Sequence, residues 1–154
     1  MVEFIVYDTA GQEEYEKLRP ITYKSSDIIL VCYSVESQES LVNVTDKWIP
    51  ELRYFCPTTP IILVANKNDL RDGVQRHRLV KDEDGRLTCK RIRAHMFFEC
   101  SAKSGANVRE VFESAAIIVS INSHQRDQKR AIMTKRRARS GSAGKSNTNR
   151  CFIL

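Results

Sequence analysis

Three short polar loops carry most of the side chains that could recognise a ligand. Residues 8–13 read Asp8-Thr9-Ala10-Gly11-Gln12-Glu13, a spacing of carboxylate and glycine that is also common in ordinary turns. Residues 66–70 read Asn66-Lys67-Asn68-Asp69-Leu70, and residues 100–103 read Cys100-Ser101-Ala102-Lys103. Each loop follows a segment with strand character, and in open α/β sheets ligands bind beyond the carboxyl ends of the strands. Taken singly each is a plain polar loop; their order and their placement at three strand ends point to one shared site. A fourth feature is the chain end, Cys151-Phe152-Ile153-Leu154, which has the form of a prenylation box. Its final Leu154 selects a geranylgeranyl over a farnesyl chain.

Strands and helices must hold these loops in place. Residues 2–7 form an apolar run that ends at Asp8, and residues 28–33 form a continuous one, as expected of a strand buried on both faces. Residues 60–65 supply a third strand and residues 96–100 a fourth. Leu41, Val44, Trp48, Leu52 and Phe55 recur at helical spacing, with Pro50 predicting a kink. Residues 82–95 read as a helix. Val108, Val111, Phe112, Ala115, Ala116 and Val119 line a last one, whose apolar face ends near Ser123. This alternation predicts an α/β fold: a doubly wound, mostly parallel sheet with helices on both faces. Residues 1–124 are expected to form the domain. Residues 125–154, poor in apolar side chains, are expected to be a disordered basic tail.

Composition narrows the possibilities. A chain of 154 residues suits one domain, and 42% hydrophobic with 29% charged residues excludes fibrous and wholly disordered classes. The longest apolar run, residues 28–33, is far short of the roughly 20 residues that span a bilayer. The first residues lack the basic and apolar regions of a signal peptide, and five cysteines form no Cys-x-x-Cys pair, so reduced cytosolic thiols are expected. Cys32, Cys56, Cys89 and Cys100 read as small buried apolar residues. His77, His95 and His124 share no metal-ligand spacing, and Asp82-Glu83-Asp84-Gly85 lacks the closing glutamate of a calcium loop.

The net charge of +6 is unevenly spread. From Arg126 onward nine Lys or Arg face one acid, Asp127, whereas residues 1–125 hold 16 basic and 18 acidic side chains. A basic tail on a nearly neutral body suggests an anionic partner. The terminal cysteine box favours an anionic membrane surface, because one lipid chain binds only marginally and a polybasic stretch is the usual second signal. No aromatic side chains interleave the charges, so nucleic acid is not expected. Lys135-Arg136-Arg137-Ala138-Arg139 keeps nuclear import as an alternative, and Ser140 beside it is a candidate phosphorylation site.

With these motifs in hand, the chain resembles the small GTPases, and more narrowly the Rho family. DTAGQEEYEKLRPITY, KWIPELRYFCP, PIILVANKNDLR and ECSAKSGANVREVF together cover nearly all of residues 2–121. The resemblance implies a GTP/GDP-binding molecular switch in membrane-linked signalling, with Mg²⁺ as cofactor. Exchange factors, GTPase-activating proteins and effectors would be its partners, and the cytoplasmic face of the plasma membrane its place. It implies that Asp69 accepts hydrogen bonds from the ring N–H and amine of guanine, with Asn66, Lys67 and Leu70 shaping that loop. Ser101, Ala102 and Lys103 would complete the base pocket, the Ala102 amide donating to the guanine carbonyl. Asp8 would hold Mg²⁺ through water, Gly11 would donate its amide to the γ-phosphate, and Gln12 would orient the attacking water. Cys151 would carry the lipid.

The resemblance also implies that the chain is N-terminally incomplete. No Gly-x-x-x-x-Gly-Lys-Ser/Thr loop precedes Asp8, and the family's first two strands and first switch are missing with it. Gly144-Lys145-Ser146 is no substitute, since Arg139 stands where the first glycine is required. The chain alone is therefore expected to be catalytically inactive. A shortened isoform that competes for partners at the membrane, or an incomplete gene product, is the alternative. Tyr7 where the family has Trp, Lys24 where it has Pro, and a short stretch between Asp69 and Ser101 set the chain apart from the usual Rho pattern.

Overall fold

The computed structural model of the chain describes residues 3–9, 14, 17–73, 78–138 and 151–153. In chain order these form β1 (Phe4–Val6), α1 (Arg19–Ser25), β2 (Ile29–Ser34), α2 (Gln38–Asn43), α3 (Ile49–Phe55), β3 (Ile61–Asn66), α4 (Asp82–Ile92), β4 (Met96–Glu99), α5 (Val108–Ala138) and β5 (Cys151–Ile153). β2, β3 and β4 pair in that order, all parallel, with Ile29 opposite Ile61 and Ile62 opposite Met96. The parallel sheet expected from strand–helix alternation is present, with strand ends shifted by a residue or two.

β3 sits in the middle because it is apolar on both sides. Ile61, Leu63 and Ala65 face a cluster with Leu41 of α2, Leu52 of α3 and Ile92 of α4. Ile62 and Val64 face Val111, Ala115 and Val119 of α5. Helices thus cover both faces. Burying each such aliphatic side chain contributes about 1.5–3 kcal/mol, so this central strand anchors the fold. Trp48 and Phe55 pack against the first cluster, as their helical spacing predicts.

Local chemistry sets the helix ends. Ser37 caps α2 by accepting the Ser40 amide at 3.1 Å. The kink expected at Pro50 takes the form of a π-helical turn over Val44–Trp48, in which the Ile49 amide reaches five residues back to the Val44 carbonyl. Pro50 then stands in the first turn of α3. It offers no amide, and its ring would crowd the carbonyl four residues earlier; the wider turn removes both problems. Asp82, Glu83 and Asp84 fill the first turn of α4, where the helix dipole favours acids. Arg93 ends that helix in the left-handed conformation, φ 55°, three residues earlier than its apolar pattern suggests.

α5 continues to Ala138, well past Ser123 and the expected boundary at residue 124. Residues 125–138 contain no glycine or proline and are rich in Arg, Lys, Gln and Ala, so backbone propensity sustains the helix after its apolar face ends. The expected disorder of residues 139–150 lies outside the described residues. β1 does not join the three-stranded sheet. It pairs in parallel with β5, which also lies against β2.

Candidate functional site

The loops after β3 and β4 meet at the carboxyl end of the sheet. The backbone turns at Lys67, φ 65°, into a 3₁₀ turn over Asn68–Asp72. A non-glycine residue pays about 1–3 kcal/mol for a sparsely populated conformation of this kind, and the surroundings hold it. Asn68 N–H donates to the Cys100 carbonyl at 3.0 Å, and Cys100 N–H donates to the Ala65 carbonyl at 2.9 Å. Arg71 makes a two-pronged ion pair with Glu99 of β4, one arm at 2.7 Å, which ties the 3₁₀ turn to the neighbouring strand.

These ties bring the predicted base-pocket residues together. Ser101, fully buried, donates its hydroxyl to Asp69 Oδ1 at 2.5 Å and accepts the Ser104 amide at 3.2 Å. Lys103 Nζ stands 3.9 Å from Asp69 Oδ2. A carboxylate has about four acceptor positions, so Asp69 keeps acceptor capacity after both contacts. Burial raises the Cys100 thiol above its ordinary value. It therefore stays protonated and donates to Asn66 Oδ1 at 3.2 Å, which fixes the amide. Gly105 and Asn107 take positive φ on the return to α5, and the Asn107 side chain donates to the Glu99 carbonyl at 2.8 Å. A cleft of about 670 Å³ opens over Asn66, Lys67, Asp69, Leu70, Ser101, Ala102 and Lys103.

Sequence reasoning missed Glu36. It lines this cleft and forms an ion pair with Lys67. Its one signal was position, since it lies just beyond the end of β2, at the same end of the sheet as the other loops. The structure does not bring Asp8 to the same cleft. Asp8 is exposed and lines a separate cavity of about 210 Å³ with Arg19, Tyr23 and Trp48. Gly11 and Gln12 lie outside the described residues, as does the side chain of Cys151.

Beside that second cavity α1 is strapped to α3. Arg19, 2% exposed, donates to both Glu51 oxygens at 3.0 and 3.1 Å, and Tyr23 donates to the same carboxylate at 2.6 Å. The Arg19 guanidinium also lies 5.3 Å from the centre of the Trp48 ring. Burial by itself would raise the Glu51 carboxyl, but the hydrogen bonds from Arg19 and Tyr23 outweigh it and hold the group below its ordinary value. Among the described residues no three His, Cys, Asp or Glu side chains gather as a cation site. No described helix is long and apolar enough to cross a membrane.

The chain is similar to known proteins over most of its length. The Ras family pattern matches residues 1–121. The chain is 49% identical over 122 residues to the Rho-related GTP-binding protein RhoB of Homo sapiens, an alignment covering 74% of this chain and 62% of that protein. The RhoB proteins of Mus musculus and Rattus norvegicus match to the same extent. The chain thus spans about 62% of the length of these relatives. With the parallel sheet, the three loops in family order and this similarity in place, the chain belongs to the Ras family of small GTPases, on its Rho side.

Proposed function

We propose that this chain is the guanine-reading part of a Rho-type molecular switch. The observation that carries the reading is the Asp69–Ser101 contact at the rim of the 670 Å³ cleft. A hydroxyl held at 2.5 Å orients a carboxylate that still has acceptor positions free. Guanine offers two adjacent donors to such a carboxylate, whereas adenine does not. A site built on buried hydrogen bonds strongly rejects a ligand that lacks them. Lys67 would lay its stem along the purine and Ala102, exposed in its turn, would present its amide to the guanine carbonyl.

The phosphate side is less complete. Magnesium commonly uses one or two protein carboxylates together with substrate phosphates and water. Asp8, exposed beyond β1, would supply one such carboxylate. Gly11 and Gln12 are proposed for the γ-phosphate and the attacking water from the family likeness alone. Hydrolysis, exchange factors, activating proteins and effectors are likewise proposals for the whole protein. Cys151 and the basic residues from Arg126 onward are proposed to attach the chain to an anionic membrane face.

The test is equilibrium binding of GDP and ADP to the parent and to Asp69→Asn, each joined to an upstream segment that restores the family's phosphate loop. The parent should prefer GDP. Asp69→Asn should lose about 2–4 kcal/mol of GDP affinity, because an amide donor then opposes the donors of guanine and leaves buried groups unpaired. Equal GDP affinity in the two proteins would remove Asp69 as the base reader.

A further inference from the structure

A lysine at the rim of a cleft is ordinarily a loose group, since its flexible four-carbon stem samples many rotamers. Lys67 is held at both ends. Its backbone is fixed in the left-handed conformation, φ 65°, at the turn after β3. Its ammonium is held by the carboxylate of Glu36, and both residues line the same 670 Å³ cleft as Asp69 and Ser101. Glu36 in turn stands on a firm base. Val35 before it is fully buried; its amide donates to the Asn66 carbonyl at 3.0 Å and its carbonyl accepts the Val80 amide at 2.8 Å. Ser37 after it donates its amide to the Ser34 carbonyl at 3.0 Å and caps α2.

The pair does little for the fold. Both side chains stay half-exposed, and an exposed ion pair contributes little to stability. The two loops it joins are already tied by the hydrogen bond from Val35 to Asn66. What the pair changes is the freedom of the lysine. A side chain ordered before its ligand arrives gives up less entropy on binding. We propose that Glu36 is a positioning residue of the base site: it pins the Lys67 ammonium, so that the stem stands ready as an apolar wall for the face of the purine. The role rests on the reading of the cleft as a guanine site, and it adds a requirement of its own. The carboxylate beyond β2 acts on the nucleotide only through Lys67. Its loss is felt as faster release of the nucleotide, because affinity differences between closely related complexes lie mostly in dissociation.

Release of labelled GDP into excess unlabelled GDP, from the chain joined to the same upstream segment, tests this. Glu36→Gln should release GDP about three- to tenfold faster than the parent. Glu36→Asp keeps the charge and should stay close to the parent. Lys67→Met keeps an apolar stem without the ammonium, and in that background Glu36→Gln should have no further effect. Added salt should narrow the gap between the parent and Glu36→Gln, because a half-exposed pair is screened. Unchanged or slower release from Glu36→Gln overturns the proposal, and so does a gap that salt leaves intact. An equal acceleration in the Lys67→Met background overturns it too, since Glu36 would then act directly on the nucleotide or through the fold. Asp69→Asn, measured alongside, separates this role from the base reading. Faster release from Asp69→Asn with none from Glu36→Gln overturns the positioning role and leaves the guanine site standing. No change in either variant, or a joined chain that binds no GDP, removes both.

Discussion

Asp69 and Glu51 are both carboxylates with close hydroxyl and cationic partners, yet they serve different ends. Asp69 faces a cleft, with a hydroxyl behind it and capacity left in front. The oxygens of Glu51 take donors from Arg19 and Tyr23, leaving it to brace α1 against α3. That difference gives Glu51 a pH signature. Its folded-state value lies below the ordinary 4.5, so the stability it contributes is complete above about pH 4.5 and is lost as the pH falls through the lowered value. Glu51→Gln should therefore unfold more easily at neutral pH and show a shallower fall in Tm between pH 5 and pH 3 than the parent; parallel acid limbs would refute the assignment. Cys32 is a correction at the same scale. It reads as a buried apolar residue, but it is exposed, because its side of β2 borders the cleft rather than a covering helix.

Among the elements, α4 shows how one small residue sets a packing distance. A Cβ at Gly85 would fall 2.4 Å from the Tyr33 hydroxyl and 2.6 Å from the Phe97 ring, so the helix lies as close to the sheet as a glycine allows. Alanine is the better helix former, by about 1 kcal/mol, yet Gly85→Ala should lower stability by about 1–3 kcal/mol through overpacking. Chemical denaturation measures this, and a gain in stability would mean that α4 can lift off freely. The sequence is informative where one signal is strong and local. β3 is legible because residues 60–65 are apolar without a break, and the Asp69 and Ser101 loops are legible because each follows a segment with strand character. Pro50 marks where the helix must yield but not that it widens at Val44–Trp48, since several distortions satisfy a missing amide. The length of α5 is hidden because its last turns follow backbone propensity rather than an apolar stripe. The pairing of Glu36 with Lys67 and of β1 with β5 joins residues far apart in sequence, which no local pattern encodes.

At the scale of the whole molecule, the proposed lipid and the basic charge would act together. The nine basic residues from Arg126 onward would each add up to about 1 kcal/mol of attraction to an anionic surface. A single lipid chain by itself binds only marginally. After prenylation the parent should partition onto anionic vesicles, Cys151→Ser should be left largely in solution, and added salt should weaken what binding persists. If Cys151→Ser sediments with the vesicles as well as the parent does, the cysteine is not the anchor. The parallel order of β2, β3 and β4 also governs how the chain reaches its structure. Every rung of the sheet joins residues some thirty positions apart, as Ile29 with Ile61 and Ile62 with Met96. No hairpin can start such a sheet. Two long loops must close before the ladder returns any free energy, so the climb to the transition state is mostly entropic and refolding is slow for a chain of this size. Trimming the central strand with Ile62→Val should slow refolding. Arg19→Ala, which breaks a strap between two helices, should instead chiefly hasten unfolding. Stopped-flow rates that respond the other way round would place the nucleus in the helices.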